Sequence, residues 1–303
     1  MRKGAQMYLS EVFRGHLAML AFSALIAGSF ALGALTAPHI DPTAFNAVRF
    51  ILAALIACLL AAGTAGIPAG AFAAPWRYAV LGGLMGAYFV LMFEALKTTS
   101  PISASAVFTL TPILSGLFGY ILLRQITTRR MALALSMGAF GALWVIFRAD
   151  LNAFLSFNPG RGEMIFFAGC VAHALYTPMV RLLNRGESPV VFSFGALVAA
   201  SLLLLATGWR DLVATDWSGL PPVVWVTIIY TAVFATAATF ILVQYASLRL
   251  PSAKVMAYTY LTPFWVICWE AALGHELPKS LILGGVIFIL LALALLLKDE
   301  HSR

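Results

Sequence analysis

Apolar runs of about 20 residues recur from one end of this sequence to the other, each long enough to cross roughly 30 Å of hydrocarbon as a helix. No water is available inside a bilayer to bond the backbone, so such runs fold as spanning helices that satisfy their own amides. Composition agrees. Hydrophobic residues make up 62% of the 303 positions, charged residues 10%, and the mean hydropathy is +0.94. A soluble domain carries about 25% charged residues, so this chain could not cover its own surface in water. A soluble enzyme, a nucleic-acid-binding domain and a secreted disulfide scaffold are excluded. The formal charge of +7 then reports basic loops rather than a nucleic-acid partner. Cys58, Cys170 and Cys268 each fall within an apolar run, an odd set without metal-ligand spacing that reads as small buried hydrophobes.

The hydropathy pattern predicts an all-α integral membrane protein with ten transmembrane helices, at 15–36, 43–62, 77–96, 101–123, 130–148, 162–183, 189–207, 222–246, 252–273 and 279–297. One polytopic domain, 1–303, accounts for the whole chain. Prolines such as Pro42, Pro101, Pro189, Pro222 and Pro278 punctuate the boundaries, and Asp41, Ser100 and Ser188 suit helix starts. Pro112, Pro178 and Pro263 lie inside spans, where the missing N–H predicts kinks and, at Pro178, free carbonyls. The first run, Leu17 to Leu35, exceeds a signal-peptide core of about 7–15 residues and reads as a mature span. Of nineteen lysines and arginines, thirteen fall on the side of the N-terminus. Five, Lys97, Arg148, Arg161, Arg210 and Lys279, fall on the other, and Arg49 lies within a span. That bias places both termini in the cytoplasm.

Two stretches match at an offset of 151 residues: Leu110-Thr111-Pro112 returns as Leu261-Thr262-Pro263, Ala95 as Ala246, Ala106 as Ala257, and Gln125 as Glu276. Each half, 15–148 and 162–297, holds five helices. An odd number forces the halves upside down relative to each other, the arrangement of many alternating-access transporters. Arg49-Phe50, the Ala95-Leu96-Lys97-Thr98-Thr99-Ser100-Pro101 turn, the Leu-Thr-Pro pair and Gly274-His275-Glu276 resemble the drug/metabolite transporter superfamily, in its ten-helix EamA-like branch. Gln125 departs from that pattern, which usually has glutamate there. The resemblance implies a multi-pass protein of the cell inner (plasma) membrane, a basket of helices around a central cavity. Spans one to four and six to nine would line it, with spans five and ten outside. The implied activity is secondary active transport, often export, of a small organic metabolite such as an amino acid or an amphipathic or aromatic compound.

Arg49 is the sharpest single signal, because an arginine within a span must face protein, water or ligand. It could clamp a substrate carboxylate, or be a structural cation bonded to loop carbonyls or Asp41, with Asn46 nearby. Tyr88, Phe108, His173, Tyr176, Tyr260 and Trp265 are mid-span candidates for the walls of a substrate site, and His173 could equally be a neutral ring bridging helices. Glu270 is the candidate for proton coupling, unless it reaches interfacial water, whereas Glu94 reads as a surface partner of Lys97 three residues on. Pro112 and Pro263 are candidate gating kinks. Gly82, Gly83 and Gly86, with Gly284 and Gly285, form small-residue faces for close helix contact. No catalytic set, metal site, cofactor motif or phosphate-binding loop is present in the sequence. The partners expected are a small-molecule substrate and membrane lipids, with no nucleic acid; monomer and homodimer both remain open. The competing class is an intramembrane enzyme acting on a lipid-linked substrate, against which the thin scatter of twelve acids argues.

Overall fold

The computed structural model describes residues 2–64, 66–126, 128–147, 150, 152, 159–276 and 280–297, with the side chains of 2–10, 146, 296 and 297 left aside. Arg148, Pro278, Lys279, Lys298 and Arg303 of the topology argument lie outside the described residues. Within these residues the chain is helical throughout, with no strand. The helices are α1 (Arg2–Thr36), α2 (Pro42–Gly63), α3 (Trp76–Ala95), α4 (Pro101–Phe108), α5 (Thr111–Leu123), α6 (Arg129–Ile146), α7 (Arg161–Leu183), α8 (Pro189–Ala214), α9 (Pro222–Ala232), α10 (Thr239–Ser247), α11 (Ser252–Ala257), α12 (Thr262–Ala272) and α13 (Ser280–Leu297). Among the described residues, seven stretches are long and apolar enough to cross a membrane: Glu11–Thr36, Pro42–Gly63, Trp76–Ala95, Pro101–Leu123, Arg161–Leu183, Pro189–Ala214 and Pro222–Ser247.

The helix starts follow from local chemistry. Asp41 accepts the amides of Thr43 at 2.7 Å and Ala44 at 3.2 Å, while Pro42 occupies a first-turn position that needs no donor. Ser100 and Ser188 cap α4 and α8 in the same way, through the amides of Ser103 and Val191. Helix α1 begins well before the expected residue 15. Its polar end is tied down by Glu11, which pairs with Arg14 at 2.9 Å and with Arg249 at 2.7 Å.

Around the main core, α3 packs on α7 and α8, α2 packs on α8, and α1 runs along α9, α10 and α12. Helices α6 and α13 lie against each other and share a separate core with Ala106, Ala257 and Tyr260. Gly82 and Gly285 are among the positions that demand glycine. A Cβ at Gly82 would meet the backbone of Ala196 and Ala200, and one at Gly285 would meet the carbonyl of Gly141. Gly83 and Gly86 face only side chains at van der Waals distance, and Gly284 faces open space, so only part of each expected small-residue face is a close helix contact. Cys170 is buried, but Cys58 is half-buried and Cys268 exposed, because those two sit on outward helix faces; the expectation of three buried thiols is corrected accordingly.

Two spans are broken where the Leu-Thr-Pro motifs fall. α4 gives way to α5 at Thr109 and Leu110, and α11 passes through a 3-10 turn, Tyr258–Leu261, into α12. Proline cannot donate to the carbonyl four residues back. At the first break that carbonyl, of Phe108, accepts the Thr111 hydroxyl at 2.5 Å instead. The breaks lie side by side, with the Thr111 and Thr259 hydroxyls 3.1 Å apart.

Pro178 behaves differently from expectation. Helix α7 continues through it, and the carbonyl it leaves without an amide, of Ala174, accepts the Thr177 hydroxyl at 3.3 Å. The freed carbonyl is therefore satisfied locally rather than left to line a cavity. The expected helix over 222–246 also carries an interruption, since Val233–Ala238 forms π-helical turns between α9 and α10.

Candidate functional site

Arg49 projects from the second turn of α2 and is completely buried. Neither Asp41 nor Asn46 holds it. Asp41 is occupied as the helix cap, and the Asn46 amide donates to the carbonyls of Pro42 at 2.8 Å and Phe89 at 3.4 Å. The partners come instead from the π-helical turns. Arg49 Nε donates to Thr236 Oγ1 at 2.6 Å and Nη2 to the Ala235 carbonyl at 2.9 Å. Wider π-helical turns disturb the α-helical bonding pattern and so leave a carbonyl available to an outside donor. The guanidinium lies over the Phe89 ring, 3.8 Å from its centroid, an arrangement that offsets part of the cost of removing a cation from water. Nη1 has no partner, and no carboxylate pairs with Arg49 among the described residues.

Phe89 leads directly into an aromatic box. Its neighbour Tyr88 packs against His173 with ring centroids 4.5 Å apart, and Phe108 closes on the same imidazole at 5.0 Å. Phe166 and Phe30 extend the stack behind Phe108. Tyr176, one turn along α7 from His173, packs against Phe240, and its hydroxyl accepts the Gln244 amide at 2.9 Å. Between these walls a cavity of about 10 Å³ remains, lined by Phe22, Met85, Phe89, His173, Tyr176 and Phe240. That is room for about one water. The Tyr88 hydroxyl, His173 Nδ1 and Gln244 Oε1 are buried here without partners.

Arg49, Tyr88, Phe108, His173 and Tyr176 are thus brought together. The other residues singled out from the sequence are not. Tyr260 lies in the separate α6–α13 core with its ring against Gly138, and its hydroxyl donates to the Leu135 carbonyl at 3.5 Å. Trp265 packs on the edge of the main core and donates from Nε1 to Ser23 Oγ at 3.2 Å. Glu270 is buried near the end of α12, where Oε2 meets His275 Nδ1 at 3.0 Å and Oε1 has no partner. Glu94 makes the expected pair with Lys97, at 2.6 Å.

One polar cluster escaped the sequence reading. Arg77, at the start of α3, is buried and donates to the carbonyls of Leu183 at 2.7 Å, Ala71 at 3.2 Å and Ala74 at 3.3 Å, and to Glu187 Oε1 at 2.6 Å. It ties the α2–α3 connection to the α7–α8 connection. Burial pushes the Glu187 carboxyl up, but bonds from Arg77 and the Arg185 amide outweigh this and hold it below its ordinary value. In the sequence Arg77 was indistinguishable from an orientation-setting loop cation. The π-helical turns at Thr236 left no signal either.

The profile of the EamA-like transporter family matches this chain twice, over residues 13–147 and 160–298. A curated relative, the "Uncharacterized transporter YyaM" of Bacillus subtilis (strain 168), is 24% identical over 278 residues, covering 91% of each chain. Among solved structures, one titled only as the crystal structure of a protein is 19% identical and covers 94% of this chain and 96% of its own, with a TM-score of 0.70. That likeness shows a shared fold.

Proposed function

Because the chain belongs to the EamA-like transporter family, we propose that it is a secondary transporter of a small organic anion or zwitterion, an amino acid or a related amphipathic or aromatic carboxylate. The observation that carries this reading is Arg49, a buried cation with one donor nitrogen unused and no carboxylate paired to it among the described residues. A buried charge is costly without a counter-charge. A substrate carboxylate would supply that charge, and the Tyr88–Phe108–His173 box beside it offers an apolar, ring-lined wall with two unpartnered polar atoms.

In this reading the chain crosses the membrane ten times, as two inverted five-helix repeats over 15–148 and 162–297, with both termini cytoplasmic in the inner membrane. The double family match and the basic-residue bias support that arrangement. Transport runs by alternating access, and export is the expected direction. The small central cavity fits a closed state between two open ones. The paired breaks before Pro112 and Pro263 are the hinges at which the lining helices change course. Tyr176 completes the substrate wall. Glu270 couples the cycle to protons, its free Oε1 and its contact with half-exposed His275 offering an entry route. Trp265 and Tyr260 brace the helices around the site.

Counterflow in proteoliposomes tests this. Vesicles preloaded with an unlabelled amino-acid mixture should accumulate labelled aromatic or aliphatic amino acids, and Arg49→Gln should abolish the accumulation while the protein still reconstitutes. Accumulation of neutral polyols or amines but of no carboxylate would overturn the reading.

A further inference from the structure

A second cleft lies on the outer surface, away from the central box. It is an open groove of about 370 Å³ lined by Ile113, Gly116, Leu117, Tyr120, Ile126 and Leu135. Four of these residues fall on one face of α5 at helical spacing, so the groove follows that helix for about 10 Å. Its outer rim is exposed: Leu117, Tyr120 and Ile126 are 53%, 51% and 80% accessible. The volume is that of a ligand-sized cleft, and most of its lining is hydrocarbon.

What stands at its end decides the occupant. Arg124 closes α5 in a left-handed conformation (φ 55°), a position where glycine is usual and a side chain is strained. Arg129 and Arg130 open α6 five and six residues later. All three arginines are exposed, and none is ion-paired among the described residues. No aspartate or glutamate occurs between Glu94 and Asp150 in the sequence, so the cluster is not neutralised from its own segment. An apolar trough along α5 thus reaches, at Ile126, the connection to α6 that Arg124 and the Arg129–Arg130 pair flank. Acyl chains match the first part and a phosphate the second. A second copy of the chain fits poorly, because a two-fold interface would set the same three cations against their own copies.

We infer that this groove is a binding site for an anionic phospholipid, with an acyl chain along α5 and the headgroup phosphate on Arg124, Arg129 and Arg130. The site is independent of the central box and of the transported substrate. Bound lipid would splint α5 to the loop and α6, on the side of the break at Leu110 where the lining helix changes course.

The test uses the delipidated full-length protein in neutral detergent, with native mass spectrometry and thermal unfolding as readouts. Phosphatidylglycerol, phosphatidylcholine of the same chains, and inorganic phosphate are the probes. Phosphatidylglycerol should be retained in preference to phosphatidylcholine and should raise the unfolding temperature, while phosphate alone does neither. The triple change Arg124→Gln, Arg129→Gln, Arg130→Gln should weaken phosphatidylglycerol retention by roughly a hundredfold, at about fivefold per charge near a membrane surface. The corresponding three Arg→Lys changes should keep the preference, which separates lost recognition from lost folding. Leu117→Trp, which fills the exposed rim, should lower retention of both lipids. Equal retention of the two lipids by the wild type would overturn the proposal, as would a phosphatidylglycerol preference that survives the glutamine changes. Stabilisation by phosphate alone, or a dimer that forms through this face, would do so as well.

Discussion

The hydroxyls of Thr111 and Thr259 lie 3.1 Å apart, joining two helix breaks that come from opposite halves of the chain. Thr111 gives its one hydroxyl proton to the Phe108 carbonyl, so the contact across the breaks is made by the single Thr259 proton, which also faces the Met256 carbonyl. The contact therefore couples the two breaks. Thr111→Val and Thr259→Val should each cost about 1 kcal/mol of stability, as expected for one hydrogen bond. In a double-mutant cycle followed by thermal unfolding, the pair should be less than additive. Strict additivity would mean that the breaks act independently.

Arg49→Lys keeps the charge and loses the fork. The planar guanidinium bonds Thr236 and Ala235 while lying over Phe89, a set that a single ammonium cannot reproduce. Transport should fall by roughly tenfold to a hundredfold, the cost of one or two charge-assisted bonds. Initial rates in proteoliposomes measure it. A lysine variant with wild-type rates would show that charge alone suffices.

Arg77 and Glu187 form an ion pair in which both side chains are almost fully buried, at 2% and 7% accessibility. Arg77→Ala should cost about 3–5 kcal/mol, since it strands a buried carboxylate. The folded carboxyl is held below its unfolded value. Its contribution is therefore complete above the unfolded carboxylate range, near pH 4.3, and is lost as pH falls through the lower folded value. Thermal midpoints recorded between pH 7 and pH 3 should drop for the wild type and drop less for Glu187→Gln.

Two glycines make a matched pair of controls. Gly82→Ala pushes a methyl group into the backbone of Ala196 and Ala200, whereas Gly284→Ala points one into open space. The first should destabilise by about 1–3 kcal/mol through overpacking, and the second should be neutral within error. Unfolding in detergent, monitored by tryptophan fluorescence, distinguishes them.

Helix existence, type and most boundaries were legible because hydrocarbon imposes its own pattern. Asp41, Ser100 and Ser188 begin helices for reasons written in one residue and its neighbours. The aromatic box was half legible. Tyr88, His173 and Tyr176 stood out because their polar atoms need partners in hydrocarbon, and Phe108 as a mid-span ring, and they do converge. Tyr260 stood out for the same reason but points into another core, since spacing along one helix cannot tell which neighbour a face meets. The partners of Arg49 were invisible. They depend on a π-helical turn in a run of small residues that reads, locally, as ordinary helix. Pro178 misled in the opposite direction, because the adjacent Thr177 repairs the ladder that proline opens.

The bonds of Arg49 run to neutral groups, so among the described residues no counter-charge offsets this buried cation. Any swing of the halves that shifts this charge along the membrane normal does electrical work, up to about 2.3 kcal/mol per 100 mV for a full crossing. Under the function proposed above, a substrate with a single net negative charge would cancel that charge, whereas a zwitterionic amino acid would leave it. With the anion the loaded step should be indifferent to voltage while the return is not; with the zwitterion both steps should respond.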